Sequence, residues 1–419
     1  MLRVFIIALL TIISQSASPQ TSDSLIVRTL RTKGITFSND NKVTLLLSGQ
    51  AKFDDMFCAI RQAKSSIHLE YFNFRNDSIA SLLFDLLREK RKEGVEVRAM
   101  FDGFGNDSNN QPLKKYHLKA LRDDSIDIVE YDPIRFPWIN KIFGRDHRKI
   151  VVIDGQIAYT GGMNVADYYI KGTEQVGEWR DMHCRIEGDA VNELQKIFMR
   201  IWNRVTGENV SGMKYYRGGT LTKFEGLKPD TTYSAGQKMV GIINREPHYT
   251  PAIMRDFYIN AIDQAQDSIK IINPYFTLIP KVTRALTRAI RRGVKVEIML
   301  SAKSDIPLTP DCAYYQAHKL MKRGAIVWMY KPGFHHSKIM MVDGLYCTVG
   351  STNLDARSLK CDFEENAVII DKATTKELDD MFARDTQKSF LLTPESWDEF
   401  RTGWQKFRGW FAHLLAPFL

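Results

Sequence analysis

A chain of 419 residues, 44% apolar and 26% charged, is long enough for two domains and too rich in core-forming residues to be disordered over most of its length. A formal net charge of +9 favours anionic partners, and charge alone does not separate phospholipid headgroups from nucleic acid. Five scattered cysteines (Cys58, Cys184, Cys312, Cys347 and Cys361) without CxxC pairing exclude both a disulfide framework and an ordinary zinc site.

The first element in chain order is a leader. Arg3 precedes an apolar run from Val4 to Ile13, followed by the small polar stretch Ser14 to Ser18. An almost purely apolar run of about ten residues is half of what spans a bilayer, so residues 1–18 read as an export signal or as a short anchor. Either would bring the protein to the cell membrane or envelope. Residues 42–205 then form a first lobe and residues 249–390 a second. Each contains a β-rich run, an amphipathic basic helix, a glycine suited to end that helix (Gly94 or Gly293) and a second β-rich run. SSIHLEYFNF and EGVEVRAMFDG in the first lobe correspond to DSIKIINPYF and RGVKVEIMLS in the second. Strand–helix–strand units of this kind predict an α/β fold with helices on the faces of a parallel or mixed sheet. Residues 206–248, rich in Gly, Lys, Thr and Tyr, read as the connection between lobes. The tail, residues 391–419, places Trp397, Phe400, Trp404, Phe407, Phe411 and Leu414 three or four apart with Arg401, Lys406 and Arg408 between them. That stripe fits a helix lying in a membrane interface, and equally one packed on the protein's own core.

The chemistry lies in a repeated motif. His147, Lys149, Asp154 and Asn164 recur as His336, Lys338, Asp343 and Asn353, with Lys two after His, Asp five after Lys and Asn ten after Asp. Four apolar residues, Asp-Gly and another β-rich run predict a hairpin in each lobe. Strand alternation puts His and Lys on one face, with Arg148 or Ser337 on the other. Two hairpins meeting across the lobe interface would gather two imidazoles, two ammonium groups and two amides in one pocket. A phosphodiester suits that set. One neutral imidazole can attack phosphorus and the other, protonated, can donate to the departing alkoxide, while Lys149, Lys338, Asn164 and Asn353 hold the non-bridging oxygens. Asp154 and Asp343 complete the two catalytic signatures but sit at turns, where holding the hairpin is the natural role of a carboxylate. No acidic or histidine cluster has metal-ligand spacing, so the expected route is metal-free, covalent and without a cofactor.

At these residues the chain resembles the phospholipase D superfamily, whose signature is HxKxxxxD twice, and more narrowly bacterial cardiolipin synthases. HRKIVVIDG, TGGMNVADYY and EWRDMHCRIEGDAV look like that family's first lobe, and PGFHHSKIMMVDG, TVGSTNLDARSL and FEENAVIID like its second. The resemblance implies two phospholipase D-like α/β/α lobes with the active site at their interface. It implies joining of two phosphatidylglycerols into cardiolipin with release of glycerol, by way of a phosphohistidine. His147 would be the nucleophile and His336 the general acid, later base. Ser351 would join the phosphate-binding set, and Glu364 matches a supporting glutamate. Two departures stand out: His335 precedes His336, and Asp362 replaces the family's usual Asn. An anionic phospholipid at a membrane surface is the expected partner, nucleic acid is not, and oligomeric state stays open. A hydrolase using water on lipid or nucleic acid would need the same half-sites, and a non-catalytic lipid-binding module would not need both intact.

Overall fold

In the first lobe, strand Ser66–Tyr71 leads through helix Ser78–Lys92 to the parallel strand Glu96–Asp102; in the second, Ser268–Ile272, Pro280–Arg291 and Lys295–Ser301 repeat the path. Asp77 starts the first helix by accepting the Ala80 N–H. Gly94 and Gly293 stop the two helices with φ of +88° and +91°, conformations a side chain would strain. The computed structural model describes residues 21–134, 143–218, 236–306, 309–414 and 416. The leader assigned to residues 1–18 lies outside them. Among the described residues, no helix is long and apolar enough to cross a membrane.

Among the described residues, fifteen strands form one sheet. From the outer edge of the second lobe the order is Ser389–Leu391, Ile326–Tyr330, Lys295–Ser301, Ser268–Ile272, Ile339–Val342, Tyr346–Gly350, Glu364–Ile370 and Lys238–Arg245. It continues through the first lobe as Phe37–Leu46, His183–Glu187, Ile157–Gly161, Ile150–Ile153, Ser66–Tyr71, Glu96–Asp102 and Asp127–Tyr131. Apart from the edge strand Ser389–Leu391, the order is palindromic about the antiparallel pair Phe37–Leu46 and Lys238–Arg245. Both strands lie across the expected boundaries: the first lobe's begins before residue 42, and the second lobe's falls inside 206–248. The stretch read as connection therefore ends in a central strand, whose burial sequence reasoning undervalued because Gly241 interrupts its apolar run.

Alternation distributes the sheet's side chains between faces. Val151 and Ile153 enter a core under helices Gly49–Gln62 and Ser78–Lys92, and Met340 and Val342 the matching core of the second lobe. Ile150, Val152, Ile339 and Met341 face the other way, into a core shared by both lobes and covered by helices Ala190–Thr206 and Lys372–Thr386. This is the expected α/β/α layering. A small second sheet, Gly333–His335 beside Glu178–Arg180, joins the lobes again next to the catalytic motifs.

The tail differs from a single stripe. It breaks at Arg401, whose extended backbone (φ −131°) separates helix Pro394–Phe400 from helix Gly403–Leu414 and whose side chain pairs with Asp311. Trp397 stacks on His318 and Phe400 packs against Tyr314 and Phe390, so these two belong to the protein's interior. Trp404, Phe407, Phe411 and Leu414 stay exposed.

Candidate active site

Each hairpin forms as its pattern predicts. Strand Ile150–Ile153 pairs antiparallel with Ile157–Gly161, and Ile339–Val342 with Tyr346–Gly350. Asp154 and Gly155 (φ +54° and +66°), like Asp343 and Gly344 (φ +53° and +64°), take the left-handed conformations of a tight hairpin turn. His147 to Lys149 and His336 to Lys338 are extended segments just ahead of these strands.

Asp154 and Asp343 are not placed to meet substrate. Asp154 accepts the backbone N–H groups of Lys64, Ser65 and Ser66 at 2.9, 2.7 and 2.9 Å. Asp343 accepts those of Gln266, Asp267 and Ser268 at 2.9, 2.8 and 2.8 Å. They sit at the far end of a four-residue strand from their histidines and pin the turn to the strand beside it. The catalytic assignment of these two is corrected to a structural one.

The histidines are oriented reciprocally. His147 Nδ1 donates to Glu364 Oε1 at 3.0 Å, and His336 Nδ1 donates to Asp181 Oδ2 at 2.7 Å. Glu364 belongs to the second lobe and Asp181 to the first, so each imidazole takes its carboxylate from the opposite lobe. With Nδ1 committed, Nε2 carries the lone pair. The second crossing is secured by backbone: the His336 N–H donates to Arg180 O at 2.6 Å and the His147 N–H to Phe363 O at 3.1 Å. His335 points away, its Nε2 3.2 Å from Asp385.

Lys149 and Lys338 are buried beside the histidines, each donating to the carbonyl of the His two residues earlier. Lys338 Nζ also lies 2.8 Å from His336 Nδ1 and 3.0 Å from Nε2. Burial pushes the Lys338 ammonium down to about 7 and lowers that of Lys149. Burial, then Lys338, pushes His336 down to about 4 against the pull of Asp181. Burial, then Lys149 and Lys338, holds His147 well below its ordinary value, so the lysines of both lobes act on one imidazole. Burial likewise pushes Glu364 and Glu365 up to about 8.

Asn164 and Asn353 are each 5% exposed. The Asn164 amide meets the Asn73 N–H and the Tyr169 hydroxyl only at 3.4 Å. The Asn353 amide oxygen has no hydrogen-bond partner among the described residues, so the protein leaves hydrogen-bonding capacity unused there. Ser351 differs from expectation. Its hydroxyl donates to the Glu364 carboxylate and lies 3.1 Å from Glu365 Oε2, so it steadies the partner of His147 rather than a phosphate. The first-lobe counterpart is Gly162, where a Cβ would fall 2.2 Å from Asp181 Oδ1. Glycine gives Asp181 the space that Ser351 fills beside Glu364.

Behind the site, Arg148 lies fully buried against Glu70 (2.6 Å) and Asp146 (3.0 Å) and donates to Asn244 at 3.1 Å. Asp362 accepts the Arg145 N–H at 3.0 Å and pairs with Arg357 at 2.6 Å. Carboxylate replaces amide at this position without an unpaired charge. Trp179, Phe334 and Tyr275 ring His336, with centroids 5.3, 5.5 and 5.8 Å away. Trp179 also walls an open cleft with Arg75, Tyr168 and Asp305.

Sequence reasoning missed Asp181, Glu365 and Lys52. Lys52 is fully buried under the Phe53 ring, 3.5 Å from Asn164 O. Asp181 had a signal: in both lobes an acidic residue stands at, or two residues before, the start of the sheet strand that pairs with the second strand of the hairpin (His183–Glu187 and Glu364–Ile370).

Two lobes on one sheet, each lending a His–Lys pair to a common site and a carboxyl group to its partner's imidazole, define a phospholipase D-like enzyme. A family model described as "Cardiolipin synthase, PLD-like domain" matches residues 56–202 and 258–386. The chain is 32% identical over 372 residues to a probable cardiolipin synthase of Bacillus subtilis (strain 168), covering 87% of this chain and 70% of that protein. It is 33% identical over 384 residues to a cardiolipin synthase of Oceanobacillus iheyensis, covering 91% and 76%. Among solved structures, a phosphatidylserine synthase of Haemophilus influenzae Rd KW20 superposes with a TM-score of 0.69 at 15% identity, over 94% of this chain and all of the other, which speaks for the fold alone. The chain belongs to the cardiolipin synthase family of phospholipase D-like enzymes, and a phosphatidyltransferase acting on phospholipid is favoured over a hydrolase.

Proposed function

We propose that the enzyme transfers a phosphatidyl group from one phosphatidylglycerol to a second at the surface of the cell membrane or envelope, forming cardiolipin and glycerol. The observation that carries this reading is the reciprocal pairing of His147 with Glu364 and of His336 with Asp181, since it prepares two equivalent imidazoles for opposite tasks.

His147 Nε2 attacks phosphorus, and the bond from phosphorus to the headgroup glycerol oxygen breaks. That oxygen takes a proton from His336 Nε2, so glycerol leaves neutral and a phosphatidyl-histidine remains. The glycerol hydroxyl of a second phosphatidylglycerol then gives its proton to His336 and attacks phosphorus, which releases His147 and forms cardiolipin. Lys149 and Lys338 stabilise the charge gathering on the non-bridging oxygens, with Asn164 and Asn353 orienting them. Without ligand, burial and Lys338 disfavour a protonated His336; the phosphodiester anion offsets the lysine charge and raises its affinity for a proton. The general acid is thereby charged when substrate is bound.

Purified enzyme given phosphatidylglycerol alone should yield cardiolipin and glycerol in equal amounts, with His147→Ala as the blank. Phosphatidic acid as main product would assign the hydrolase reaction instead. Two in-line displacements retain configuration at a chiral phosphorus, and net inversion would remove the covalent step.

A further inference from the structure

The terminal helix Gly403–Leu414 has two unlike faces. Its small face is docked: a Cβ on Gly409 would lie 2.7 Å from Asp311 O, Ala412 is buried with Cys312 and Ala416, and Arg408 pairs with Asp311. The opposite face carries Trp404, Phe407, Trp410, Phe411 and Leu414, between 45% and 65% exposed. Neighbouring rings there touch one another, Trp404 to Phe407 at 5.5 Å and Phe407 to Trp410 at 5.7 Å. A helix already fixed by one face does not need these side chains for its own packing. Contiguous apolar surface of this kind marks a contact with something else.

Charge identifies what. Beside the helix runs an open groove of about 630 Å³, walled by Arg284, Arg291, Lys319, Arg323, His413 and Leu414. Among the described residues, no carboxylate lines it. Of its cations, Arg284, Arg291, Lys319 and Arg323 make no ion pair among the described residues, whereas Arg288, which also lines it, and Arg292 nearby are taken by Asp263. Four cations without a carboxylate partner among the described residues, next to a row of tryptophan and phenylalanine, match an anionic lipid interface, with aromatic rings at headgroup depth and basic groups against phosphate. Arg401 and Arg408 anchor the helix to Asp311, in the first turn of helix Thr309–Met321. That helix follows strand Lys295–Ser301, whose last residue, Ser301, accepts the N–H of His335 next to the catalytic His336. The aromatic helix therefore starts from the end of the sheet that carries the site.

We infer that helix Gly403–Leu414 and the Arg284–Arg291–Lys319–Arg323 groove together form the surface that docks the enzyme on an anionic phospholipid bilayer, with a lipid headgroup phosphate in the groove. This rests on the reading of the enzyme as one that works on membrane phosphatidylglycerol, and adds to it a lipid site separate from the catalytic histidines.

The test uses the full chain and vesicles of phosphatidylcholine, with or without an equal share of phosphatidylglycerol, whose acyl chains are brominated. Bromine should quench the wild-type tryptophan emission on anionic vesicles, and Trp404→Phe/Trp410→Phe should remove most of that quenching whatever residues 1–18 do. Arg284→Ser/Arg291→Ser/Arg323→Ser should require several-fold more anionic lipid for half-maximal quenching, while keeping wild-type activity on detergent-dispersed phosphatidylglycerol. Equal quenching in the tryptophan variant, or unchanged lipid demand in the arginine variant, overturns the proposal. So does a wild-type dimer in sedimentation that Trp404→Ser/Phe407→Ser/Phe411→Ser dissociates, since the face would then be a subunit contact. A wild type that docks yet makes no cardiolipin from dispersed lipid would refute the enzymatic reading and leave the docking surface standing.

Discussion

A histidine attacks phosphorus only as the free base, and burial keeps both imidazoles in that form. His147→Ala and His336→Ala should each abolish turnover, whereas His335→Ala, whose ring serves Asp385, should lower the melting temperature and spare kcat. Radiolabelled phosphatidylglycerol assays on folded variants decide this, and a dead His335 variant would reverse the assigned register. Asp181→Asn removes the charge that holds the His336 Nδ1–H, and Glu364→Gln replaces the carboxyl group beside His147 Nδ1 with an amide of the same shape. Each should cost about 10²–10⁴-fold in kcat with little change in melting temperature. The same burial links stability to pH. His336 titrates near 6.5 in an unfolded chain and at about 4 when folded. Between those values the unfolded chain binds the proton and the native one does not, so stability present above pH 6.5 is lost as pH falls toward 4. That linkage is on the order of 3 kcal/mol. His336→Gln should flatten the decline of melting temperature from pH 6.5 to 4, and an unchanged slope would contradict it.

The two Asp-Gly turns show what a strand–turn–strand unit demands of its signature residue. Asp343 collects three backbone N–H groups at the start of strand Ser268–Ile272 and reaches no catalytic group. Asp343→Ala should cost about 2 kcal/mol of stability by chemical denaturation, yet leave kcat near wild type at low temperature; an inactive but stable variant would restore a catalytic role. These hairpins were legible in the sequence because local pattern determines them: apolar alternation, Asp-Gly turns, equal spacing in two copies. His147, Lys149, Asn164 and their counterparts follow from the same pattern. Asp181 was not legible as a partner of His336, for 155 residues separate them and only the crossing of Glu178–Arg180 with Gly333–His335 brings them together. Ser351 was misread for a related reason: the side chain it meets, Glu364, arrives on a neighbouring strand. The tail's stripe was legible as a period of three and four, but its break at Arg401 depends on Asp311, far away in sequence.

At the scale of the molecule, the lobes cannot be separate machines. The core of Val43, Val240, Ile150 and Ile339 runs beneath both, the central sheet passes unbroken through Phe37–Leu46 and Lys238–Arg245, and each histidine depends on a carboxylate of the other lobe. Chains this long often unfold domain by domain. Here, losing one lobe would strip the other of shared core and of a sheet partner, so unfolding should follow a single transition. Gly241→Val is the sensitive probe. A Cβ there would meet the Phe37 ring at 2.7 Å, on the strand that joins the lobes and 95 residues before His336 in the chain. Overpacking should cost about 1–3 kcal/mol. Because the junction sets how the lobes face each other, kcat should fall with KM little changed, since a small shift misaligns Asp181 from His336 and Glu364 from His147 together. Circular dichroism and tryptophan emission should trace one coincident, lowered transition in this variant. Two resolved transitions with wild-type kcat would mean that the lobes fold independently and that the reciprocal carboxylates tolerate their movement.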